Sequence, residues 1–272
     1  MSFRDLHQPG HPFILANAWD RGSAQMLAAL GAKAIGTSSA AHAFTIGRPD
    51  MGNVTRDEAL AHAQDLMSAT DLPLSGDFEN GFGDSPEDCA QTVRLAGEIG
   101  MAGICIEDTA LPSQTPYDFD LAVERIRAAS AAARALPHDF FFVARADGVM
   151  LKTYDTQEAV RRIQAFDAAG ADGLYVPLPP DMDALKAICN ATKKPVNVLA
   201  AGPFTKTGLA EFAALGVARI SLGSALARAT HKTILTAARA MLKDGDFSHI
   251  GGVTASQIDD LLIAGAKGAY TK

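Results

Sequence analysis

A step that recurs four times constrains the fold of this chain more than any other feature. Each time, a helix-like segment closes on a glycine followed by an apolar residue, and a short apolar run comes next: Leu30-Gly31-Ala32, Ile99-Gly100-Met101, Ala169-Gly170-Ala171 and Leu215-Gly216-Val217. A glycine just past a helix supplies the left-handed backbone conformation that ends it. The apolar run that follows is typical of a buried parallel strand. The pattern therefore predicts alternating helices and strands.

Eight short apolar runs are predicted as strands: 13–17, 34–37, 72–79, 103–106, 140–146, 173–176, 195–200 and 219–222. Strands that alternate with amphipathic helices favour right-handed βαβ units and a parallel sheet. Eight such units in roughly 250 residues predict an α/β fold of the (β/α)₈ TIM-barrel type. The alternative is an open, doubly wound sheet, which normally has a phosphate-binding glycine motif after its first strand. Residues 13–19 contain no such motif, so the barrel is favoured.

The chain is predicted to form one domain over 1–272, with the barrel at about 12–243 and a C-terminal helical extension at about 244–272. The 48% of hydrophobic residues suffice for a barrel and a helical shell. Extra helices at the end of a barrel commonly cover it or reach a neighbouring subunit. We therefore expect a homo-oligomer, a dimer or a tetramer.

Composition also excludes several classes of partner. The net charge is −7 without a basic stripe, so no nucleic-acid partner is expected. No apolar stretch reaches the roughly 20 residues that span a bilayer, and the N-terminus lacks the apolar core of a signal peptide. The three cysteines lack metal-binding spacing and suggest reduced thiols. These features predict a cytoplasmic protein without a membrane partner.

The third predicted strand ends in two carboxylates. Asp77 and Glu79 are two residues apart just before a glycine-rich turn, and side chains at i and i+2 of a strand point the same way. Two like charges held close together repel unless a cation or a proton lies between them. Because Mg²⁺ usually takes one or two protein carboxylates, the pair indicates a metal site. A solvated acidic loop is the alternative.

Polar residues also follow the other predicted strands. In barrel enzymes the loops after the strands form the active site, so we expect these side chains to meet there. Carboxylates are prominent in this set, which comprises Asn17, Trp19, Asp20, Thr37, Ser38, Ser39, Asp50, Asp77, Glu79, Glu107, Asp108, Arg145, Asp147 and Asn197.

These motifs resemble the isocitrate lyase/phosphoenolpyruvate mutase superfamily. The resemblance runs from about residue 12 to about residue 230 and is carried, in order, by Trp19-Asp20, Thr37-Ser38-Ser39, Gly47-Arg48-Pro49-Asp50, Asp77-Phe78-Glu79, Glu107-Asp108 and Arg145-Ala146-Asp147. It implies a (β/α)₈ barrel, often a tetramer built from dimers that exchange the last helix. It also implies a site for a small 2-oxo or 2-hydroxy carboxylic acid.

The resemblance further implies a role for each site residue. Asp77, Glu79 and Glu107 would hold Mg²⁺ (or Mn²⁺), directly or through water, although the family usually has Asp where this chain has Glu79. Arg145 and Glu107 would be catalytic. The substrate would contact Trp19, Ser38, Ser39, Asp50, Arg145 and Asn197.

The segment after Glu107-Asp108 departs from the family. The related isocitrate and methylisocitrate lyases have a catalytic cysteine on a mobile lid here, and the phosphonate mutases have a lysine. Residues 109–118 contain neither. Tyr117 is the replacement acid/base that we predict, with Ser113 and Thr115 as alternatives, and His42 is predicted to be a surface histidine.

The implied activity is a magnesium-dependent carbon–carbon lyase that passes through a pyruvate-type enolate, like oxaloacetate decarboxylase or 2-methylisocitrate lyase. A metal chelated by a carbonyl and a carboxylate acts as a Lewis acid where the negative charge develops. Decarboxylation would suit a lid without cysteine. Two alternatives stay open: phosphorus–carbon chemistry, as in phosphoenolpyruvate mutase or phosphonopyruvate hydrolase, and a non-catalytic 2-oxo acid binder.

Overall fold

The computed structural model describes residues 2–267 and contains a closed barrel of eight parallel strands, which confirms the predicted fold. The strand order around the barrel is β1-β10-β9-β8-β7-β4-β3-β2, and β5 and β6 form a separate antiparallel hairpin. The strands are β1 (Phe13–Asn17), β2 (Ile35–Gly36), β3 (Leu74–Asp77), β4 (Gly103–Glu107), β5 (Thr109–Ala110), β6 (Thr115–Pro116), β7 (Phe141–Arg145), β8 (Gly173–Tyr175), β9 (Val196–Leu199) and β10 (Arg219–Ser221).

Helices surround the barrel, and side-chain caps mark where several of them begin. Asp20, Thr55 and Ser85 each accept a hydrogen bond from a backbone N–H of the first helical turn, and such a cap contributes about 1 kcal/mol. The α-helices are α1 (Arg21–Ala29), α2 (Ser39–Thr45), α3 (Arg56–Ala69), α4 (Pro86–Glu98), α5 (Phe119–Ala135), α6 (Gly148–Leu151), α7 (Thr156–Ala168), α8 (Met182–Asn190), α9 (Leu209–Ala214), α10 (Ala225–Asp244) and α11 (Ala255–Gly265).

The four glycines that predicted helix ends all have a left-handed backbone. Their φ angles are +92° at Gly31, +89° at Gly100, +103° at Gly170 and +85° at Gly216. They follow the last residues of α1, α4, α7 and α9. Other residues would be strained there, so each glycine fixes the turn from a helix into the next strand.

The main apolar core lies between the barrel and the helices. Ile104 and Phe142 of the strands and Phe166 of α7 belong to it and have no solvent exposure. Barrel interiors are usually filled by branched apolar side chains. Here polar side chains of β9 and β10, those of Asn197 and Arg219, are instead buried along a cavity.

Two helices, α10 and α11, follow the last barrel strand. Helix α11 packs tightly on α1, because a Cβ added to Gly265 would lie 1.8 Å from the backbone oxygen of Gln25. Helix α10 leaves large apolar side chains exposed, including Leu242 at 87%. Exchange of a helix between subunits stays a prediction, and 268–272 of the predicted extension lie outside the described residues. No helix within 2–267 is long and apolar enough to cross a membrane.

Candidate active site

A cavity of about 160 Å³ lies at the C-terminal ends of the barrel strands and extends into the barrel. The register explains why charged residues meet there, since Glu107 of β4 pairs with Arg145 of β7, and Asp77 of β3 pairs with Cys105 of β4. Eight of the ten predicted site residues line it: Ser38, Ser39, Asp50, Asp77, Glu79, Glu107, Arg145 and Asn197. Trp19 and Tyr117 do not.

Arg145 is the centre of a buried charge network. Its Nη1 lies 3.2 Å from Asp77 Oδ1 and 3.2 Å from Glu107 Oε2. On its other side Nη2 donates to Asp147 Oδ2 at 2.6 Å, and Nε donates to Asp147 Oδ1. Burial opposes the charge of Arg145, but the three carboxylates outweigh it and raise its pKa. The guanidinium is therefore a fixed positive charge.

The carboxylates around this arginine are poorly solvated. Burial raises the pKa of Glu107 well above its ordinary value, although Arg145 opposes the shift. Burial also raises the pKa of Glu79 to about 7 and raises that of Asp50. Neighbouring carboxylates add to all three shifts. The site thus contains more negative charge than one arginine compensates.

Glu79 reaches the cavity by a route that the sequence did not predict. Strand β3 ends at Asp77, and Glu79 has a left-handed φ of +46°. The prediction that both residues point the same way along one strand is therefore wrong, because the chain turns just after β3, where the Gly81 N–H donates to the Phe78 carbonyl. Glu79 is held by the Gly52 N–H, which donates to its Oε1 at 3.0 Å. Both carboxylates still line the cavity.

The predicted metal ligands Asp77, Glu79 and Glu107 share the cavity without forming a ready-made cluster. Within 2–267, no three acidic, histidine or cysteine side chains lie close enough together to hold a metal ion. Between Asp77 and Glu107 lies the guanidinium of Arg145. Mg²⁺ normally keeps several water molecules and takes only one or two carboxylates. The buried Asp50 Oδ1, which has no hydrogen-bond partner, is a further oxygen donor. The donors fit a hydrated Mg²⁺ rather than a three-carboxylate cage.

Asp108 and Asp147 lie behind the cavity rather than in it, contrary to the expectation that all these acidic residues meet at one face. Asp108 Oδ1 accepts from the backbone N–H of Asp147 at 2.9 Å. Its Oδ2 accepts from Tyr154 Oη at 2.8 Å and from Arg162 Nη1 at 2.9 Å. Asp108 therefore fixes Asp147, and Asp147 fixes Arg145.

The two predicted serines have different partners. Ser38 caps α2, and Ser39 donates from its backbone N–H (3.1 Å) and its Oγ (3.0 Å) to Asp77 Oδ2. Ser39, to which the resemblance assigns a contact with the substrate, thus binds a carboxylate of the protein in this arrangement.

Tyr117 does not have the position that we predicted for a catalytic acid/base. Its hydroxyl donates to Asp84 Oδ1 at 2.6 Å and accepts from Asn80 Nδ2 at 2.9 Å, and burial raises its pKa. Arg125 covers its ring, 4.0 Å from the ring centroid. Ser113, the first alternative, is exposed on the β5–β6 hairpin. Tyr117 is therefore held at the base of the hairpin, outside the cavity.

Trp19 and His42 also differ from prediction. The Trp19 carbonyl lies 2.9 Å from His62 Nε2, and its side chain does not line the cavity. His42 is 7% exposed and stacks on His62 with ring centroids 3.9 Å apart. Burial lowers the pKa of His42 to about 4. The prediction of a surface histidine is therefore wrong, because α2 packs His42 against α3.

Asn17 and Arg219 line the cavity but are not among the ten predicted site residues. Asn17 is expected only among the polar residues that meet at the strand ends, and its Oδ1 accepts from the backbone N–H groups of Leu222 and Gly223. Arg219 was not considered, although it is buried in β10. The alternation Arg219-Ile220-Ser221 was a usable signal, because it places Arg219 and Ser221 on one face of a predicted strand.

Comparisons with known proteins point to one family and one fold. The family model of phosphoenolpyruvate phosphomutase matches residues 3–242. An oxaloacetate decarboxylase of Paraburkholderia xenovorans (strain LB400) is 30% identical over 262 residues, which cover 90% of this chain and 82% of that protein. A crystal structure of a Burkholderia cenocepacia J2315 protein, provisionally named a lyase/mutase, has a TM-score of 0.90 at 44% identity and covers 95% of this chain and 93% of its own. A phosphonopyruvate hydrolase in complex with oxalate and Mg²⁺ shares the fold at 24% identity, with a TM-score of 0.82 and 96% and 95% coverage.

Proposed function

Because the chain belongs to the phosphoenolpyruvate phosphomutase family, we propose that it is a magnesium-dependent lyase that cleaves a carbon–carbon bond of a small 2-oxo or 2-hydroxy carboxylic acid. Mn²⁺ is the alternative ion. Cleavage of this kind leaves the enolate of pyruvate or of a related acid. The oxaloacetate decarboxylase that resembles this chain over most of its length supports this class of reaction.

The acidic surplus of the cavity is the observation that carries the proposal. Four carboxylates line it. Among residues 2–267, Arg145 is the only arginine that pairs with them there. Burial disfavours the charged forms of Asp50, Glu79 and Glu107. A divalent cation would relieve both the repulsion and the loss of solvation.

The residues of the cavity would have separate roles in binding and catalysis. Asp77, Glu79 and Glu107 would hold the ion directly or through water, and the bound ion would supply a Lewis acid for the oxygens of the substrate. Arg145 would keep a fixed positive charge beside the developing enolate, and such preorganised charge stabilises a transition state. Asp147 would hold the Arg145 guanidinium in place, since it occupies both Nε and Nη2.

A turnover assay tests the proposal. The purified protein with Mg²⁺ is screened against oxaloacetate, methylisocitrate, alkylated malates and phosphonopyruvate, and the formation of pyruvate, glyoxylate or phosphoenolpyruvate is followed. We expect activity that EDTA abolishes and that Mg²⁺ or Mn²⁺ restores. Glu107→Gln is expected to lower turnover about 10–100-fold, as is typical when a group that supports a metal site is lost.

The exposed Glu98 offers the matched control, because Glu98→Gln changes the same side chain outside the site and should leave turnover unchanged. Activity that survives EDTA would contradict the metal role. Binding of every acid without turnover would instead support a 2-oxo acid binder, and turnover of phosphonopyruvate alone would support phosphorus–carbon chemistry.

We also propose that the protein is a cytoplasmic homo-oligomer, a dimer or a tetramer. Its three cysteines are all free thiols, which suits a reducing compartment. The apolar side chains exposed on α10 suit a contact between subunits.

A further inference from the structure

Arg219 presents a charge that the protein itself does not compensate. It is 3% exposed, within β10, and its Nη1 is buried without a hydrogen-bond partner. Its Nε donates to Asn197 Oδ1 at 2.8 Å, which is a neutral amide. Removing a cation from water is expensive unless an anion pairs with it. The buried guanidinium therefore has an unmet need for a negative partner.

The groups around Arg219 do not supply that partner. Burial lowers the pKa of Arg219, and the groups that oppose this shift are Cys105 and Tyr175, whose own pKa values burial raises. Both side chains are therefore neutral near pH 7. On the N-terminal side of the barrel, Arg219 borders a void beside His7 that has no room for a water molecule. Burial and the charge of Arg219 lower the pKa of His7 to about 3, so His7 is neutral as well.

The open side of Arg219 is the candidate active site. Arg219 lines the same cavity as Asp77, Glu107 and Arg145. Arg145 has its donors engaged by Asp77, Glu107 and Asp147, so it has little capacity left for another anion. Arg219 is thus the guanidinium of this cavity that remains without a carboxylate in the described part of the chain.

We propose that Arg219, supported by Asn197, is a second carboxylate subsite, which takes a carboxylate of the substrate that the metal does not chelate. The inference rests on the proposed function and narrows it to acids with at least two carboxylates. Because pairing with a guanidinium stabilises the charged carboxylate, the carboxylate bound there is retained in the reaction and is not the group released as neutral CO₂.

Malate and lactate test this inference, because they share the 2-hydroxy acid end and differ by one carboxylate. In calorimetry with Mg²⁺, we expect the wild-type protein to bind malate at least about 10-fold more tightly than lactate, since hydrogen bonds between a guanidinium and a carboxylate are stronger than those between neutral groups. Arg219→Met is expected to remove this preference and to change lactate affinity less than about 2-fold. Arg219→Lys, which keeps the charge, is expected to retain part of it.

A merely structural role for Arg219 would give a different result. Arg219→Met should unfold at the same or a higher denaturant concentration than the wild type, because it removes an unpaired buried charge. A wild-type protein without preference for malate, or a preference that survives Arg219→Met, would overturn the inference. An equal loss of affinity for malate and lactate in Arg219→Met would overturn it as well. If Arg219→Met does not fold, the preference of the wild-type protein for malate and the preference that Arg219→Lys retains still test the inference. Lactate binding that needs no Mg²⁺ would count against the proposed function instead.

Discussion

Glu79, a predicted metal ligand, has a protonation state that should affect the stability of the metal-free protein. Glu79 is 4% exposed, and burial raises the pKa of its carboxyl group from the ordinary 4.5 to about 7. Between these two pH values, the folded state therefore keeps a proton on Glu79 that the unfolded state has released. Stability that this proton provides is present at pH 4.5 and is lost as the pH rises toward 7.

We therefore predict that the metal-free protein loses up to about 3 kcal/mol of unfolding free energy through Glu79 between about pH 4.5 and about 7. Glu79→Gln should remove this part of the pH dependence, because an amide does not titrate. Urea denaturation across this range measures it, with Glu98→Gln as the control. If the unfolding free energies of the wild type and of Glu79→Gln change with pH in parallel, the prediction is contradicted. Added Mg²⁺ should flatten the wild-type curve, since the ion replaces the proton.

Asp108 shows how residues outside the cavity fix it. Since its carboxylate is fully buried against Arg162, Asp108→Asn should destabilise the protein by about 3–5 kcal/mol, the usual effect of removing one partner of a buried pair. Asp139→Asn is the control, because Asp139 pairs with Arg4 at the surface with 50% exposure and should cost less than about 1 kcal/mol. Denaturation in urea measures both, and equal effects would show that burial of the Asp108 pair is not what matters.

The sequence predicts the position of a site residue that stands at the end of a strand. It does not predict the position of a residue that is placed by a turn. Asp77, Glu107 and Arg145 stand at strand ends, where a barrel brings side chains together whatever the loops do. The direction of the Tyr117 hydroxyl depends on Asp84, far away in sequence, and no local pattern reports such a partner. Glu79 was assigned correctly to the cavity for an incorrect reason.

At the scale of elements, the alternation of strands and helices was visible because each carries its own end signal. The glycines with positive φ and the capping residues act within a few residues of the element that they end. The segment 109–118 has no such periodicity, and its hairpin depends on pairing between β5 and β6. None of its residues lines the cavity, so this segment does not cover the site in this structure.

Helix α10 provides the prediction at this scale. Ile234 and Leu242 are 62% and 87% exposed on it, and large apolar side chains exposed on one helix favour a contact between subunits. We expect a dimer or a tetramer in light scattering after size exclusion. The double variant Ile234→Asp/Leu242→Asp should shift it to a smaller species. Leu209→Asp, which changes an exposed leucine of α9, is the control. A wild-type monomer would contradict the proposal.

For the whole molecule, the barrel brings together residues from most of the chain, from Asn17 in β1 to Arg219 in β10, around one cavity. Its acidic end suits a cation and its buried arginine suits an anion. A small acid with a chelating end and a further carboxylate would complement both. The central claim is that the acidic end binds a divalent ion together with such an acid.

Anomalous scattering from a crystal soaked with Mn²⁺ and oxalate tests this claim most directly. The account predicts one manganese peak among Asp77, Glu79 and Glu107, with oxalate bound to the ion beside Arg145. A cavity without a manganese peak, in a crystal where oxalate binds elsewhere and Arg145 keeps both of its bonds to Asp77 and Glu107, would contradict it.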